Sequence, residues 1–317
     1  MSAHWAKGAA ATLAAILAAL AQPAGAFGTL NILGQHSEHQ RITRWALADA
    51  GLGRKTMDAL AGVDGRFGAV GAPDDPFRGL LGVKAAHCDG GDYLDTPDYP
   101  HPRDAAQARL ETCRRWIFDH LDQAVRDAGA LATPRREDGA VPSCAFDGRR
   151  AGSARCLVLE DLGLAFHAAQ DFYAHTNWVD HATPGPIGPA NPPGLAQDGR
   201  SAWIDPRRNS PFPSGLISGC YDGFPEWLHC GALFGPARAQ HRYLNKDEGE
   251  IDVAAQTVGP GETPRGRIDD NFQRAVRAAV ADTRSKWLYV EDRIRAAYGA
   301  DANRILCRLT SDTPATC

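Results

Sequence analysis

"LGLAFHAAQDFYAHTNWVD", residues 162–180, is the stretch on which both the fold and the chemistry turn. It has the apolar content of a buried helix, yet His167, Asp171 and His175 recur in it at intervals of four, with Asn177 and Trp178 directly behind. Side chains four apart share one helix face, about one turn from each other. Imidazole and carboxylate in that array form a nitrogen and oxygen donor set of the kind zinc takes, at about 2.0–2.2 Å. A core histidine satisfied by a buried aspartate would explain one such pair. Three residues in register, beside other histidine-bearing stretches, favour a metal, with His175 two turns on or just past the helix end.

Four further stretches carry candidate donors. "GQHSEHQRITRWAL" places His36 and His39 at the opening of a helix, and His39, inside the helical pattern, is the better ligand; His36 is as well suited to the surface. "FGAVGAPDDP" holds Asp74 and Asp75 between Pro73 and Pro76, where a turn or cap is the ordinary role and only the company of histidines suggests metal. "KAAHCDGGDYLD" sets His87 beside Cys88, with Asp89, Asp92 and Asp95 on a Gly-rich turn. A bridged Cys88 would hold the neighbouring imidazole rigidly, as a ligand requires. "AQHRYLNKDEGEI" brings His241, Asn245 and Asp247. His101, His120, His181 and His229 lack an evident partner and are expected to be structural, with His181 nearest the main stretch.

The first 26 residues have the form of a secretory signal: Lys7, the apolar run "AAATLAAILAALA", then "AGA" before Phe27. That run is too short to span a bilayer, so export is expected rather than anchoring. Cleavage after Ala26 takes 26 of the 317 residues and leaves 291, enough for one large domain over 27–317. The net charge of −4 becomes −5 with the loss of Lys7, which argues against a general nucleic-acid surface. Eight cysteines behind an export signal imply four disulfides in a secreted or periplasmic setting. Their spacing suggests 144–156, 220–230 and 307–317 as local pairs, leaving Cys88 with Cys113, among about 105 possible connectivities. Zinc-thiolate binding is the weaker alternative, since the sequence has no CxxC pair.

Helical patterns dominate the rest. "EHQRITRWALADAG" puts Ile42, Trp45, Ala46 and Leu47 on one side and stops at Gly51. From Asp104, placed as an N-cap, to about Ala130, the expected apolar stripe is Ala105, Ala108, Trp116, Ile117, Leu121 and Val125. Cys156 to Ala174 predicts a nearly all-apolar helix suited to a central position. Asp269 to Tyr298 predicts a fourth, with Phe272, Val276, Ala279, Val280, Trp287, Val290 and Ile294 inward. No strand alternation is convincing, so the expected fold is a single all-α, multi-helix domain with long Gly/Pro-rich loops. The largest loop, residues 183–215, is expected to shape a substrate entrance or touch lipid through Trp203, Ile204 and Phe212, with Leu216 just beyond, or to be surface padding.

Taken together, "FGTLNILGQHSEHQRITRWAL", "GAVGAPD", "HCDGGDYLD", "HAAQDFYAHTNWV" and "LNKD" resemble the zinc-dependent phospholipase C superfamily, nearest its Het-C/CinY-like branch; zinc-dependent single-strand nucleases form its other arm. The resemblance implies an all-helical fold with two or three Zn2+ ions at the base of a cleft. It implies as metal ligands Phe27 through its freed amine and carbonyl, His39, Asp74, His87, His167, Asp171 as bridge, His175, and His241 with Asp247. Two features depart from the best-known members: the interval from Asp171 to His175 is shorter, and Asn245 stands where a ligand glutamate is expected, so Asp247 takes that part.

The activity so implied is phosphodiester hydrolysis by a metal-activated hydroxide, with Asp74 serving as ligand and general base together. The expected substrate is a phospholipid at a membrane surface, cleaved to diacylglycerol and a phosphorylated headgroup by a monomer that does not insert stably. A single-strand nuclease on the same fold, or a metal-binding Het-C-like protein without turnover, are the alternatives.

Overall fold

The computed structural model describes residues 27–31, 35–133, 144–146, 152–223, 226–231 and 235–317. The expected signal segment, residues 1–26, lies outside the described residues. The fold is mostly helical, and its centre is the helix that the first quoted stretch predicts. This helix, α5 (Ala154–His175), follows α1 (Glu38–Ala46), α2 (Arg54–Ala61), α3 (Lys84–His87) and α4 (Arg103–Ala128). The short α6 (Glu226–Cys230), the long α7 (Asn271–Tyr298) and α8 (Ala302–Thr310) complete the helices described here.

Every residue of α5 from Val158 to His175 is buried, because α4 and α7 flank it and α1, α2 and α3 close over it. Ser153 caps its start by accepting from the Cys156 amide at 3.4 Å. Gly163 lets the chain at Ala69 lie directly on the helix: a Cβ there would stand 2.3 Å from the Ala69 carbonyl carbon. That close approach brings the 69–74 segment, and with it Asp74, to the helix face carrying His167.

The flanking helices are amphipathic as expected, with local corrections. In α4 the buried stripe is Ala106, Leu110, Cys113, Ile117, Leu121, Ala124, Val125 and Ala128. Ala108 faces solvent, while Ala105 and Trp116 are only partly covered. Pro102 occupies the N-cap position, and Asp104 lies within the first turn. All seven residues expected to face inward on α7 are buried.

The all-α expectation needs a correction. Strands β1 (Gly249–Asp252) and β2 (Thr257–Gly261) pair antiparallel, with Ile251 opposite Val258 and Asp252 opposite Thr257. Three glycines and a proline across the nine strand residues and their turn hid the alternation: of the strand residues only Gly249, Ile251 and Gly261 are buried, and just one of those has an apolar side chain. The 183–215 loop is also corrected. Trp203 and Ile204 are buried, as is Leu216 just beyond the loop, and the Phe212 ring packs edge-on to Trp203 at 5.2 Å, so these side chains anchor the loop to the core.

Buried apolar side chains form one continuous core, with a satellite of Leu94, Ile217 and Leu244 under Tyr93 and Tyr99. Disulfides join Cys88–Cys113, Cys144–Cys156, Cys220–Cys230 and Cys307–Cys317, as the spacing suggests. Four bridges fit an oxidising or extracellular compartment. Among the described residues no helix is long and apolar enough to cross a membrane.

Candidate metal centre

Asp171 stands at the middle of the site. Its Oδ2 lies 3.0 Å from His167 Nε2, one turn earlier on α5, and 3.0 Å from His87 Nδ1 at the end of α3. Its Oδ1 lies 3.2 Å from His39 Nε2 on α1 and 3.9 Å from His175 Nε2 at the end of α5. Asp74, on the short 3-10 turn Ala72–Asp74, faces the same group at 3.7 Å from His167, 3.9 Å from His87 and 4.0 Å from His39. Thr29 donates its hydroxyl to Asp74 Oδ2. The His39 and His167 rings stack at 4.1 Å.

A second group adjoins the first through His175. Its Nε2 is 3.2 Å from Asp247 Oδ1, and its Nδ1 is 3.3 Å from Asp89 Oδ1. His241 packs its ring against His175 at 4.3 Å, with Nε2 3.9 Å from Asp89 Oδ1. Gly219 makes room for His241, since a Cβ there would stand 2.2 Å from the His241 Cα.

The histidine tautomers follow from their outer partners. Gln170 donates its amide nitrogen to the hydroxyls of Thr43 (3.0 Å) and Thr283 (3.1 Å), so its oxygen must accept from His39 Nδ1 at 2.7 Å. His167 Nδ1 donates to the Val70 carbonyl at 2.9 Å, and His175 Nδ1 to the His87 carbonyl at 2.8 Å. With Nδ1 so engaged, His39 and His167 turn Nε2 toward Asp171, and His175 turns it toward Asp247 and, farther off, Asp171. An imidazole nitrogen facing a carboxylate needs a proton or a metal ion between them. Outer hydrogen bonds of this form are the usual means of orienting metal-binding imidazoles.

A second observation agrees. Eight buried atoms here lack a well-aligned hydrogen bond: His39 Nε2 and Asp171 Oδ1, which face each other at 3.2 Å, His175 Nε2 and Asp247 Oδ1, likewise 3.2 Å apart, and His87 Nε2, His241 Nδ1, Asp89 Oδ1 and Asp247 Oδ2. Each buried polar atom left unpaired costs roughly 1–3 kcal/mol, a cost that a bound cation would remove. His39, His167 and Asp171, then Asp74, His87 and His167, and finally Asp89, His175 and His241 each bring donor atoms close enough to hold a metal ion. Cys220, Asp222 and Cys230 also converge, but both sulfurs are committed to a disulfide.

The electrostatics are those of a cation site. Burial opposes charge on His39, His87 and His175, yet contact with Asp171 outweighs it and raises all three. Burial lowers His167, and takes His241 down to about 3. Asp171 is buried, yet His167, His175 and His39 hold it well below the usual carboxylate range. Burial raises Asp247 to about 6.

The structure thus brings together His39, Asp74, His87, His167, Asp171, His175, His241 and Asp247. Phe27 is fully buried with its ring edge-on to His39 at 5.7 Å, and the Gly28 carbonyl accepts from the His39 amide at 3.1 Å. His36 stands apart, 3.2 Å from Glu262. Asn245 is a turn former whose side-chain oxygen accepts from the Asp247 amide at 3.0 Å. His101, His120 and His181 pair with Asp92, Asp161 and Asp269, in keeping with structural roles.

Three contributors are not singled out by sequence. Asp89 joins the second group, although it sits two residues from His87. Gln170 orients His39, and its only signal is a polar residue in an apolar helix. Glu38, buried beside His39, accepts from the His36 and Gly249 amides, and burial pushes its carboxyl up to about 8. No family model matches the chain, and no curated protein or solved structure matches it.

Proposed function

We propose that the protein is an exported, zinc-dependent phosphodiesterase of the phospholipase C type. The convergence of buried imidazole and carboxylate donors on Asp171 and, beside it, on His175 is the observation that carries this reading. Nitrogen and carboxylate donors without thiolate suit zinc. His39, Asp74, His87, His167 and Asp171 would hold the first group of ions, and His175, His241, Asp247 and Asp89 a further one. The amine of Phe27, freed by cleavage after Ala26, would join the first group, beside the ring that its side chain packs against.

Bound zinc supplies Lewis acidity, which acidifies water and neutralises phosphoryl charge. The protein's own groups do the rest. Asp74 is the most exposed donor of the first group, its side chain 14% accessible against 7% or less for His39, His87, His167 and Asp171. Substrate therefore arrives on its side. With Oδ2 engaged by Thr29, Asp74 Oδ1 is the atom free to take a proton from the attacking water and return it to the leaving alcohol. The buried imidazoles, fixed by Gln170, Val70 and the His87 carbonyl, keep their lone pairs inward and bulk water out.

A lipid substrate is favoured by the loop that follows Asp74. Phe77 is 95% exposed and Leu81 45% exposed, so two of the four large apolar side chains that stand out into solvent among the described residues follow Asp74 within seven residues. The test is release of diacylglycerol and phosphorylated headgroup from phospholipid vesicles, with and without chelator. His167→Ala is expected to lower the rate at least 100-fold. Full activity in that variant, or indifference to chelator, would refute the reading, and cleavage of single-stranded nucleic acid instead of lipid would move it to a nuclease.

A further inference from the structure

We infer that Lys246 is a positioning residue that assembles the second metal group, an inference that rests on the metal reading above. Lys246 is completely buried, an unusual place for an ammonium. Its Nζ donates to the Thr176 carbonyl at 3.0 Å and to the Leu244 carbonyl, and pairs with Asp180 Oδ1 at 2.9 Å. Its backbone amide donates to the Ala174 carbonyl at 3.1 Å. Two of these acceptors, Ala174 and Thr176, bracket His175 at the end of α5. Leu244 lies between His241 and Asp247. One side chain therefore ties the helix end that presents His175 to the loop that presents the other two donors.

Those side chains have few other supports. Asp247 Oδ1 meets only the His175 ring, at 3.2 Å from Nε2, and His241 Nδ1 makes no hydrogen bond. The loop is held besides by its own turn, by the His241 amide donating to the Cys220 carbonyl at 3.1 Å, by the Arg242 amide donating to Glu226 at 3.2 Å, and by Thr263, whose hydroxyl donates to the Asn245 carbonyl at 2.7 Å; none of these ties it to α5. By contrast, the first group draws on α1, α3, the 69–74 segment and the His167–Asp171 turn of α5, whereas Lys246 meets α5 only at its last turn, through Ala174.

The charge balance makes the claim separable from simple stability. Asp180 lies between two cations, Lys246 and Arg265, the latter 2.8 Å from its Oδ2. Removing either cation leaves one balanced buried pair, whereas removing Asp180 would strand two. Lys246→Met and Arg265→Met thus make the same change in charge at the same carboxylate. Only the first cuts the tie to Thr176 and Leu244.

Each purified protein is stripped with chelator, dialysed against zinc and analysed for bound metal, with affinity read by competition against a chromophoric chelator. The expected result is that Lys246→Met loses one equivalent, or binds it at least 10-fold more weakly, while Arg265→Met keeps the native complement. Cobalt substitution of Lys246→Met should leave the visible bands of the first group in place. If Lys246→Met does not fold, Lys246→Gln, which keeps a shorter amide donor, should weaken one equivalent in the same way. Native stoichiometry and affinity in the Lys246 variants, or equal losses in the Lys246 and Arg265 variants, would overturn the inference while leaving the metal reading intact. A native protein that takes up no zinc would overturn both.

Discussion

At the scale of single residues, the site is defined less by its histidines than by what lies behind them. His39 presents its Nε2 lone pair because Gln170, itself fixed by Thr43 and Thr283, can only accept from Nδ1. Gln170→Leu keeps volume and helix propensity but removes that acceptor, freeing the ring to exchange tautomers. Metal affinity measured by chelator competition should fall about 10–100-fold, with the far-ultraviolet spectrum unchanged. Native affinity in this variant would mean that the outer hydrogen bond does not set the ring. Much of the inner set was legible because His167, Asp171 and His175 repeat at the helical interval, and histidine in an apolar context is conspicuous. Gln170 was not, since its meaning comes from α1 and α7, 127 and 113 residues distant through Thr43 and Thr283. Asp89 was hidden for a related reason: three aspartates share its turn, and only the fold turns this one toward His241.

At the scale of elements, helix ends are closed by distant parts of the chain. The first turn of α2 follows Gly53, which has no side chain to cap it, and Asp312 supplies the missing acceptor. Its carboxylate accepts from the Lys55 and Thr56 amides at 3.0 Å each, and from the Thr56 hydroxyl. The nearby Cys307–Cys317 bridge holds the terminal segment in place. Asp312→Ala should destabilise by about 1 kcal/mol at neutral pH, as loss of an N-cap does. Burial opposes ionisation of Asp312, but those hydrogen bonds outweigh it and lower its pKa. A lowered carboxyl contributes stability above its unfolded value of about 3.9, and the contribution disappears as pH falls through the folded value. The gap between variant and native melting temperatures should therefore close on acidification below about pH 4. A gap that persists at pH 2 would assign the effect to packing. Such long-range caps are invisible to local pattern, which is why α2 was not expected, whereas α4, α5 and α7 were, with ends within two residues of those observed. Asp104 had the right residue type for an N-cap, but Pro102 already sets the extended turn into α4, so the aspartate falls two residues later, within the first turn. The hairpin was missed because its strands are short, glycine-rich and half exposed, leaving no period to detect.

At the scale of the whole molecule, the core and the site are one object. α5 contributes its apolar side chains to the packing of α4 and α7 and, from the same buried turns, offers His167, Asp171 and His175. Emptying the site leaves imidazole nitrogens and carboxylates facing one another at 3.0–3.2 Å inside the core, with only protons to balance them. Any repulsion left over is borne by the helices that carry the fold. Metal removal should accordingly act as a global destabilisation and not as a loosening of one loop. Ligand linkage gives about 2.7 kcal/mol at free metal a hundredfold above the dissociation constant, or roughly 5 °C or more for a domain of this size. The chelator-treated protein should melt at least that much lower by calorimetry, with its four disulfides intact by thiol titration, and zinc should restore the transition. Because the donors come from both halves of the chain, the metal-free transition should remain a single one, shifted as a whole. An unchanged melting temperature after chelation would show that the buried donors balance one another through protons alone, and the case for a metal would fall with it.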